Sequence, residues 1–570
     1  MQHDTPEIGL VRLPGRLPTT VDDIGFWYDD DMATRFSVAA WDVAGAWWSG
    51  LFSQNTLVAI RSVNGRLDHT RRSLRLKAQG VDAGAMMRAA DQALQNLKNP
   101  AFFDSAETYL EQIAHIEAGF QILNTLQDNV IFGINGARVA GLNYGSSVAL
   151  GAFASGQTLL QKLVENAVEQ MPPPNEFLFL KIKDEGELLS ALMLTEVVRR
   201  RWPNCQMCLG DHGHENYSLH SVLKEQGRAH PLFDMFDDVV VERGAIPVVL
   251  KLRFPVCGAV PSKTLGDIYA HDFEIFAPKR ILTMRLSEGR CYWAKCTYCT
   301  QNAKFGNGRA PSKSDLVQAL DRLSGFAQAG VSHFQFSDEA LSPALLREFS
   351  QKLVTLGIDI HWACRSKLEP VFGKVLFDQL ALAGCYEVLF GLETTVPRIQ
   401  IAMDKYDRRL DEPAVAEILN AADQAGIGIH LNLIAGFPSE TLAELNQTVD
   451  FLIQVGQGKS GFTFLLNEFV LFRDTPMFEN PHDFGMELVP VGGDIFPNAP
   501  FVVPHPMPDA VTPDDVLREM QRAFERLHWG RLGEFAGGDL AVHLYFTSGH
   551  GSVFKSGFNP FDCGDSRAVA

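Results

Sequence analysis

Apolar runs of strand length alternate with amphipathic segments of helix length, and this alternation predicts an α/β protein built on parallel sheets. Three observations carry the prediction. From Phe177 a strand, a helix and two further strands follow one another; from Ile281 six strand and helix units repeat regularly; and Met171-Pro172-Pro173-Pro174 makes a stiff break ahead of both. The expected division is a mainly helical region (1–172), a Rossmann-like layer (173–255), a linker (256–280), a partial (β/α)6 barrel (281–470) and a C-terminal extension (471–570).

In the first region Ile8 to Leu13 reads as a short buried strand ended by Pro14. Tyr109, Leu110, Ile113, Ile116, Phe120 and Leu123 recur at helical spacing and mark a core-packing face. The Rossmann-like layer takes strands at Phe177–Ile182, Gln206–Leu209 and Asp238–Val241, with a helix carrying Leu188, Leu189, Leu192, Met193 and Val197 as the crossover. Cys205 and Cys208 lie at or in the second strand, which favours a structural role over a redox pair. The barrel strands are expected at Ile281–Leu286, His333–Phe336, Asp359–Cys364, Glu387–Gly391, Ile429–Ala435 and Phe462–Leu466. Six units are too few for a closed eight-stranded barrel, so a curved, partly open one follows, with functional loops at the carboxyl ends of its strands. Beyond it come a Pro-rich covering stretch, a helix from Asp514 to Leu527 and a Gly-rich tail, Thr547 to Ser552, read as a surface loop.

Composition narrows the function. A chain of 570 residues, 46% hydrophobic and 21% charged, describes well-packed domains, and a net charge of −18 argues against a broad nucleic-acid surface. The N-terminus has no basic segment followed by an apolar one, and no apolar stretch is long enough to span a bilayer, so a cytoplasmic protein without membrane partners is expected. Nine cysteines, an odd number at low density, fit reduced thiols and metal ligation better than a disulfide framework. Cys364, Cys385 and Cys563 are read as structural thiols.

The remaining cysteines point to chemistry. Cys291, Cys296 and Cys299 stand in C-x4-C-x2-C spacing on the loop after the first barrel strand, and supply three thiolates to one centre. A structural zinc wants a fourth ligand, yet the nearest histidines, His271 and His333, belong to other elements; a plant-type ferredoxin wants a fourth cysteine, and Cys364 lies beyond a helix and a strand. An iron–sulfur cluster on three cysteines keeps one iron open. Other polar residues also sit at predicted strand ends: Asp338 and Glu339, Arg365, Glu393, and the turn Gly436-Phe437-Pro438. Each alone suits a helix cap or a surface pair; together they converge on one mouth.

With those residues in place, Ile281 to Leu466 resembles the radical S-adenosylmethionine (SAM) superfamily, its cysteine loop one residue longer than the commonest form. The resemblance implies a [4Fe–4S] cluster on Cys291, Cys296 and Cys299, with Tyr298 packing near the adenosyl group. It implies Asp338 and Glu339 at the SAM amino group, Arg365 at its carboxylate, Glu393 at the ribose hydroxyls, and the Gly436 turn at the adenine. It further implies reductive cleavage of SAM to a 5′-deoxyadenosyl radical, an electron donor such as flavodoxin or ferredoxin, and a small metabolite or peptide whose unactivated carbon is attacked.

The layer before the barrel resembles the cobalamin-binding domains that precede many such barrels, in layout more than in ligands. Gly210-Asp211 stands where those domains carry Gly-Gly, and no D-x-H-x-x-G motif occurs. Bound cobalamin would imply methyl transfer; without it, bond formation, rearrangement or epimerisation follows. A non-catalytic metal or electron-transfer protein is the rival from another class, opposed by the missing fourth ligand and the acidic strand ends.

Overall fold

A computed structural model describes residues 7–22, 36–104, 106–182, 184–211, 223, 229–240, 249, 264–277, 280–287, 291–302, 313–406, 410–459, 461–490, 493–495 and 498–527. The chain forms two compact units: Met1–Arg280 with Gln328–Val331 and Gly492–Pro497, and Ile281–Ala327, Ser332–Val491 and Asn498–Ala570. Among the described residues no helix is long and apolar enough to cross a membrane.

Unit 1 is built on five parallel strands: β1 (Glu7–Arg12), β2 (Ser37–Asp42), β3 (Phe177–Ile182), β4 (Gln206–Asp211) and β5 (Asp238–Val240), in the order β2-β1-β3-β4-β5. All six residues of β3 are buried, as a central parallel strand covered on both faces requires. The helix Glu185–Arg201 joins β3 to β4. Asp184 caps it by accepting the Glu187 N–H at 2.8 Å, and acidic residues in its first turn and three arginines in its last complement the helix dipole.

The sheet departs from the expected division in three ways. The strand β2 was not anticipated, because Ser37-Val38-Ala39-Ala40-Trp41-Asp42 shows no clean alternation; its register with β1 is set by pairing rather than by pattern. The Pro-rich stretch is no boundary. Pro172 accepts the Trp41 indole N–H at 3.2 Å, and β3 begins directly after it and pairs with β1. Nor are residues 264–277 a linker: Ile268, Tyr269 and Phe276 are buried, and Thr264 opens a short helix with a capping box.

Asp42 explains that last anchorage. Its carboxylate accepts the Arg12 guanidinium, the Gly45 N–H at 2.9 Å and the Glu274 N–H at 2.8 Å, while Arg12 also donates to the Glu274 carbonyl. One side chain thus ties β1, β2, a helix start and the 264–277 segment together.

Unit 2 carries β6 (Ile281–Met284), β7 (His333–Phe336), β8 (His361–Lys367), β9 (Cys385–Glu393), β10 (Gly428–Ala435) and β11 (Phe462–Glu468). Each pairs in parallel with the next in chain order, so all six carboxyl ends lie along one edge. The intervening helices start and stop on local signals. Ser342 caps Pro343–Leu356, which ends at Gly357 in the left-handed region with φ 66°, and Thr441 with Glu444 forms a capping box on Leu442–Gly456. The helix Pro513–Leu527 packs on the 442–456 helix and on β11, where the Phe524 and Phe464 rings lie 5.0 Å apart. The Gly-rich tail and Cys563 lie outside the described residues.

Asp42→Ala leaves the Arg12 guanidinium and two N–H groups without their acceptor. It should cost unit 1 about 3–5 kcal/mol in chemical denaturation; a loss below about 1 kcal/mol would show that the four contacts are not coupled.

Candidate active site

The loop after β6 presents the three cysteines, and its path is fixed by main-chain bonds rather than by regular structure. Cys299 N–H donates to the Cys296 carbonyl at 3.4 Å and Asn302 N–H to the Cys299 carbonyl at 3.1 Å, so the last two cysteines share one tight turn. The buried Asn302 carboxamide donates to the carbonyls of Lys295 (2.8 Å) and Cys296 (3.0 Å). Farther out the loop is stitched to the turn at 402–404: Thr297 donates to the carbonyls of Met403 and Ala402, and the Trp293 indole donates to the Asp404 carbonyl at 2.9 Å. Ala294 and Asp404 both take left-handed φ, 50° and 48°, a strain the surrounding bonds hold in place.

Burial pushes the Cys296 thiol up to about 11, although nearby Lys405 pulls it down, and burial raises Cys299 well above its ordinary range. As free groups both are therefore thiols, and binding iron is what would deprotonate them. Among the described residues no group of three His, Cys, Asp or Glu side chains is drawn together closely enough to hold one metal ion. A four-iron cluster asks for something else, one thiolate on each of three irons, and the donor chemistry of this loop fits that demand.

Tyr298 packs against an apolar cluster that includes Met403, Phe437, Phe469 and Met477. Burial, with Glu393 adding to it, raises its phenol well above the ordinary tyrosine value. The cysteine loop and the Gly436 turn thus share one apolar support.

The other expected residues stand as follows. Asp338, buried after β7, accepts the Leu286 and Ser287 N–H groups, each at 2.8 Å, with one carboxylate oxygen apiece. Its visible work is to hold the end of β6 where the cysteine loop departs. Glu339 follows it. Arg365, near the end of β8, is half-buried and has no side-chain hydrogen bond or ion pair among the described residues. Gly436 takes φ 75° at its turn and gives its N–H to Glu440 at 2.6 Å.

Glu393 ends β9 at a bulge, in the left-handed region with φ 65°, and accepts the Lys405 ammonium at 2.9 Å. Both partners are nearly buried, with side-chain exposures of 9% and 13%. Burial disfavours the Lys405 ammonium, but Glu393, Tyr298 and Cys296 outweigh it and the pKa is raised well above normal. A Cβ on Gly391 would lie 2.4 Å from Glu393 Oε1 and 2.8 Å from Lys405 Nζ, so this ion pair occupies the space that glycine leaves.

Sequence reasoning missed a second set of residues around the loop. Lys367 lies 3.9 Å from the Trp293 ring centroid and 3.2 Å from Glu369, which also accepts the Tyr292 hydroxyl at 2.6 Å. Burial lowers the Lys367 pKa, and Glu369 opposes the change. Tyr406 donates to the Gly391 carbonyl at 3.2 Å. A signal was present in the dense polar run Asp404-Lys405-Tyr406 after a short helix, but no motif spacing marks it. Below the mouth, His430 is fully buried between the Thr463 hydroxyl and the Asn432 carboxamide.

Lys405→Met strands the Glu393 carboxylate and should destabilise unit 2 by about 3–5 kcal/mol in denaturant titration, with Lys405→Arg recovering part of the loss. Equal stability of Lys405→Met and wild type would show that Glu393 is solvated without its partner.

The radical SAM superfamily model matches residues 289–452. No curated protein sequence matches the chain. Among solved structures, the radical SAM methyltransferase TsrM from Kitasatospora setae, with cobalamin and a [4Fe–4S] cluster bound, is 13% identical, covering 63% of this chain and 76% of its own, with a TM-score of 0.38. The cobalamin-dependent SAM radical enzyme OxsB with aqua-cobalamin bound is 12% identical over 69% and 66% of the two chains, with a TM-score of 0.42. Coproporphyrinogen III oxidase (HemN) from Escherichia coli is 14% identical over 43% and 51%, with a TM-score of 0.27. Likeness at this level carries no residue role across, whereas the family match falls on the cysteine loop and the strands that follow it. The chain therefore carries a domain that matches the radical SAM superfamily over residues 289–452.

Proposed function

We propose that this enzyme functionalises an unactivated carbon of a small metabolite or peptide, and that the sheet of unit 1 is a corrinoid-binding layer, which makes methyl transfer the outcome. When bound, the cluster on Cys291, Cys296 and Cys299 supplies the electron that cleaves SAM and leaves a 5′-deoxyadenosyl radical. Arg365, lacking a partner among the described residues, takes the SAM carboxylate. Glu339, rather than Asp338, takes the amino group, because both Asp338 oxygens already accept main-chain N–H groups. Glu393 reaches the ribose hydroxyls through Oε2 while Oε1 keeps Lys405. The Gly436 turn offers adenine its carbonyl, its N–H being given to Glu440. The electron donor is a flavodoxin or ferredoxin, and the setting is the cytoplasm.

The observation that carries the corrinoid assignment is the sheet order 2-1-3-4-5, which puts a topological switch point between β1 and β3, where open parallel sheets receive cofactors at their carboxyl ends. Cobalamin, when bound, would supply the methyl group. Residues 212–222, directly after β4, lie outside the described residues.

A specific observation favours the second reading, a cobalamin-free radical enzyme that forms, rearranges or epimerises bonds. The hairpin Val130–Gly133 and Gly136–Val139 packs onto the loop after β1: Leu17 N–H donates to the Ile134 carbonyl, and a Cβ on Gly136 would lie 3.0 Å from the Gly15 main chain. Gly210 likewise serves internal packing, since a Cβ there would meet the Phe179 ring at 2.4 Å.

Two measurements decide these points. Replacing Cys291, Cys296 or Cys299 by Ala should abolish iron retention and SAM cleavage after anaerobic reconstitution while far-ultraviolet circular dichroism is unchanged; stoichiometric zinc without iron in the wild type would sink the cluster. Protein produced with ample cobalamin should show corrinoid absorption, strengthened in Asp211→Gly, which restores a second glycine at the end of β4. If neither protein carries corrinoid, the cobalamin-free reading replaces methyl transfer.

A further inference from the structure

The two faces of the unit 2 sheet differ in chemistry. Trp362 of β8 sets its ring 5.3 Å from Phe349 of the helix Pro343–Leu356, and Phe464 of β11 lies against Phe524 of the helix Pro513–Leu527, so these residues mark the helix-covered face. Side chains alternate along a strand and register partners share a face, which puts His430, Asn432 and Ile434 of β10 with Thr463, Leu465 and Asn467 of β11 on the other one. There Asn432, Ile434 and Leu465 are half-buried and Asn467 is exposed, so a ligand can reach them.

The carboxamides of Asn432 and Asn467 are each held at one end. Thr463 is buried, and among the described residues its hydroxyl meets only Nδ1 of His430, at 2.8 Å. The hydroxyl proton has an acceptor only if Nδ1 takes it, so Nε2 carries the ring proton and donates it to Asn432 Oδ1 at 3.2 Å. Asn432 Nδ2 is left without a partner among the described residues, and it keeps solvent-accessible surface. Asn467 is the converse case. Its Nδ2 donates to the Leu433 carbonyl at 3.4 Å, which only the N–H end of a carboxamide can do, so Oδ1 is the open end. Asn432 pairs with Leu465 and Ile434 with Asn467, which makes the two asparagines diagonal neighbours on strands about 4.8 Å apart. One open N–H donor and one open carbonyl acceptor thus stand side by side, with Ile434 and Leu465 as an apolar flank.

We infer that Asn432 and Asn467 form a substrate-recognition subsite and that the group they take is an amide, its carbonyl accepting from Asn432 and its N–H donating to Asn467. An ester or ketone leaves the Asn467 oxygen unmet, a carboxylate brings it no donor, and an ammonium leaves the Asn432 N–H unmet. Asn432 lies opposite Gly391 in register, and the space over Gly391 is filled by the Glu393–Lys405 pair, so the amide sits one strand from the carboxylate proposed for the SAM ribose. None of the residues proposed for SAM is used. The inference narrows the substrate to an amide-bearing molecule such as a peptide; it rests on the radical SAM reading for the reaction, and not for the binding.

The test uses the full-length protein, anaerobically reconstituted and without reductant, titrated with N-methylbutanamide and with methyl butanoate as a matched amide and ester and followed by saturation-transfer difference NMR. The amide should bind saturably and the ester severalfold more weakly. Asn467→Leu should bring the two within about twofold by weakening the amide alone, whereas Asn432→Leu should weaken both severalfold. If Asn432→Leu does not fold by circular dichroism, Asn467→Leu, at an exposed position, carries the comparison. Iron content and SAM cleavage measured on the same wild-type sample report on the radical SAM reading, so the two can fail separately. No saturable amide binding, equal binding of the two probes, an unchanged preference in Asn467→Leu, or displacement of the amide by SAM each overturns the assignment.

Discussion

The parallel hydrogen bonding of six strands in unit 2 is the constraint from which its chemistry follows. Parallel neighbours force every connection to cross back over the sheet, and the crossovers here are helices, so each carboxyl-end loop emerges on the same edge. The cysteines after β6, Asp338 and Glu339 after β7, Arg365 in β8, Glu393 at the end of β9 and Gly436 after β10 therefore lie along one edge of the sheet although they are spread over roughly 145 residues of chain. Asp338 ties two of these ends together directly, by holding the main chain of Leu286 and Ser287.

Around that edge the enzyme keeps charge where charge is expensive. Lys405 and Glu393 are nearly out of water, and each would cost several kcal/mol alone. Their pairing is made feasible by a glycine two positions before the glutamate and by a backbone turned into the left-handed region at Glu393 itself. The same ammonium favours the thiolate at Cys296, whereas burial disfavours it. Cys296 thus stands beside an ammonium that is itself paired with Glu393.

Much of this was legible in the chain because it is local. The strand at Phe177–Ile182 and most strands of unit 2 show in runs of apolar residues, and the cysteine spacing needs only three letters. What failed to show is non-local. The strand Ser37–Asp42 is recognisable only through its partner β1, and residues 264–277 resemble a linker until Asp42 is seen to hold Glu274. Asp338 was assigned by residue type and position, which do not reveal whether a carboxylate already has N–H partners. Lys405 escaped for the opposite reason: its chemistry depends on the space above Gly391, and no spacing rule encodes a void.

The pairing of β1 with β3 also sets a timetable. Ile8 lies opposite Phe177, so roughly 170 residues must be made before the first strand can meet its inner neighbour. At ribosomal speeds of about 5–20 residues per second, the interval is on the order of ten to thirty seconds. During that time the apolar face of β1 has only β2 to pair with, and the helices between Val43 and Glu169 must hold their own apolar stripes against one another. A nascent chain of this design keeps the inner edge of β1 unpaired until Ile182 has cleared the exit tunnel.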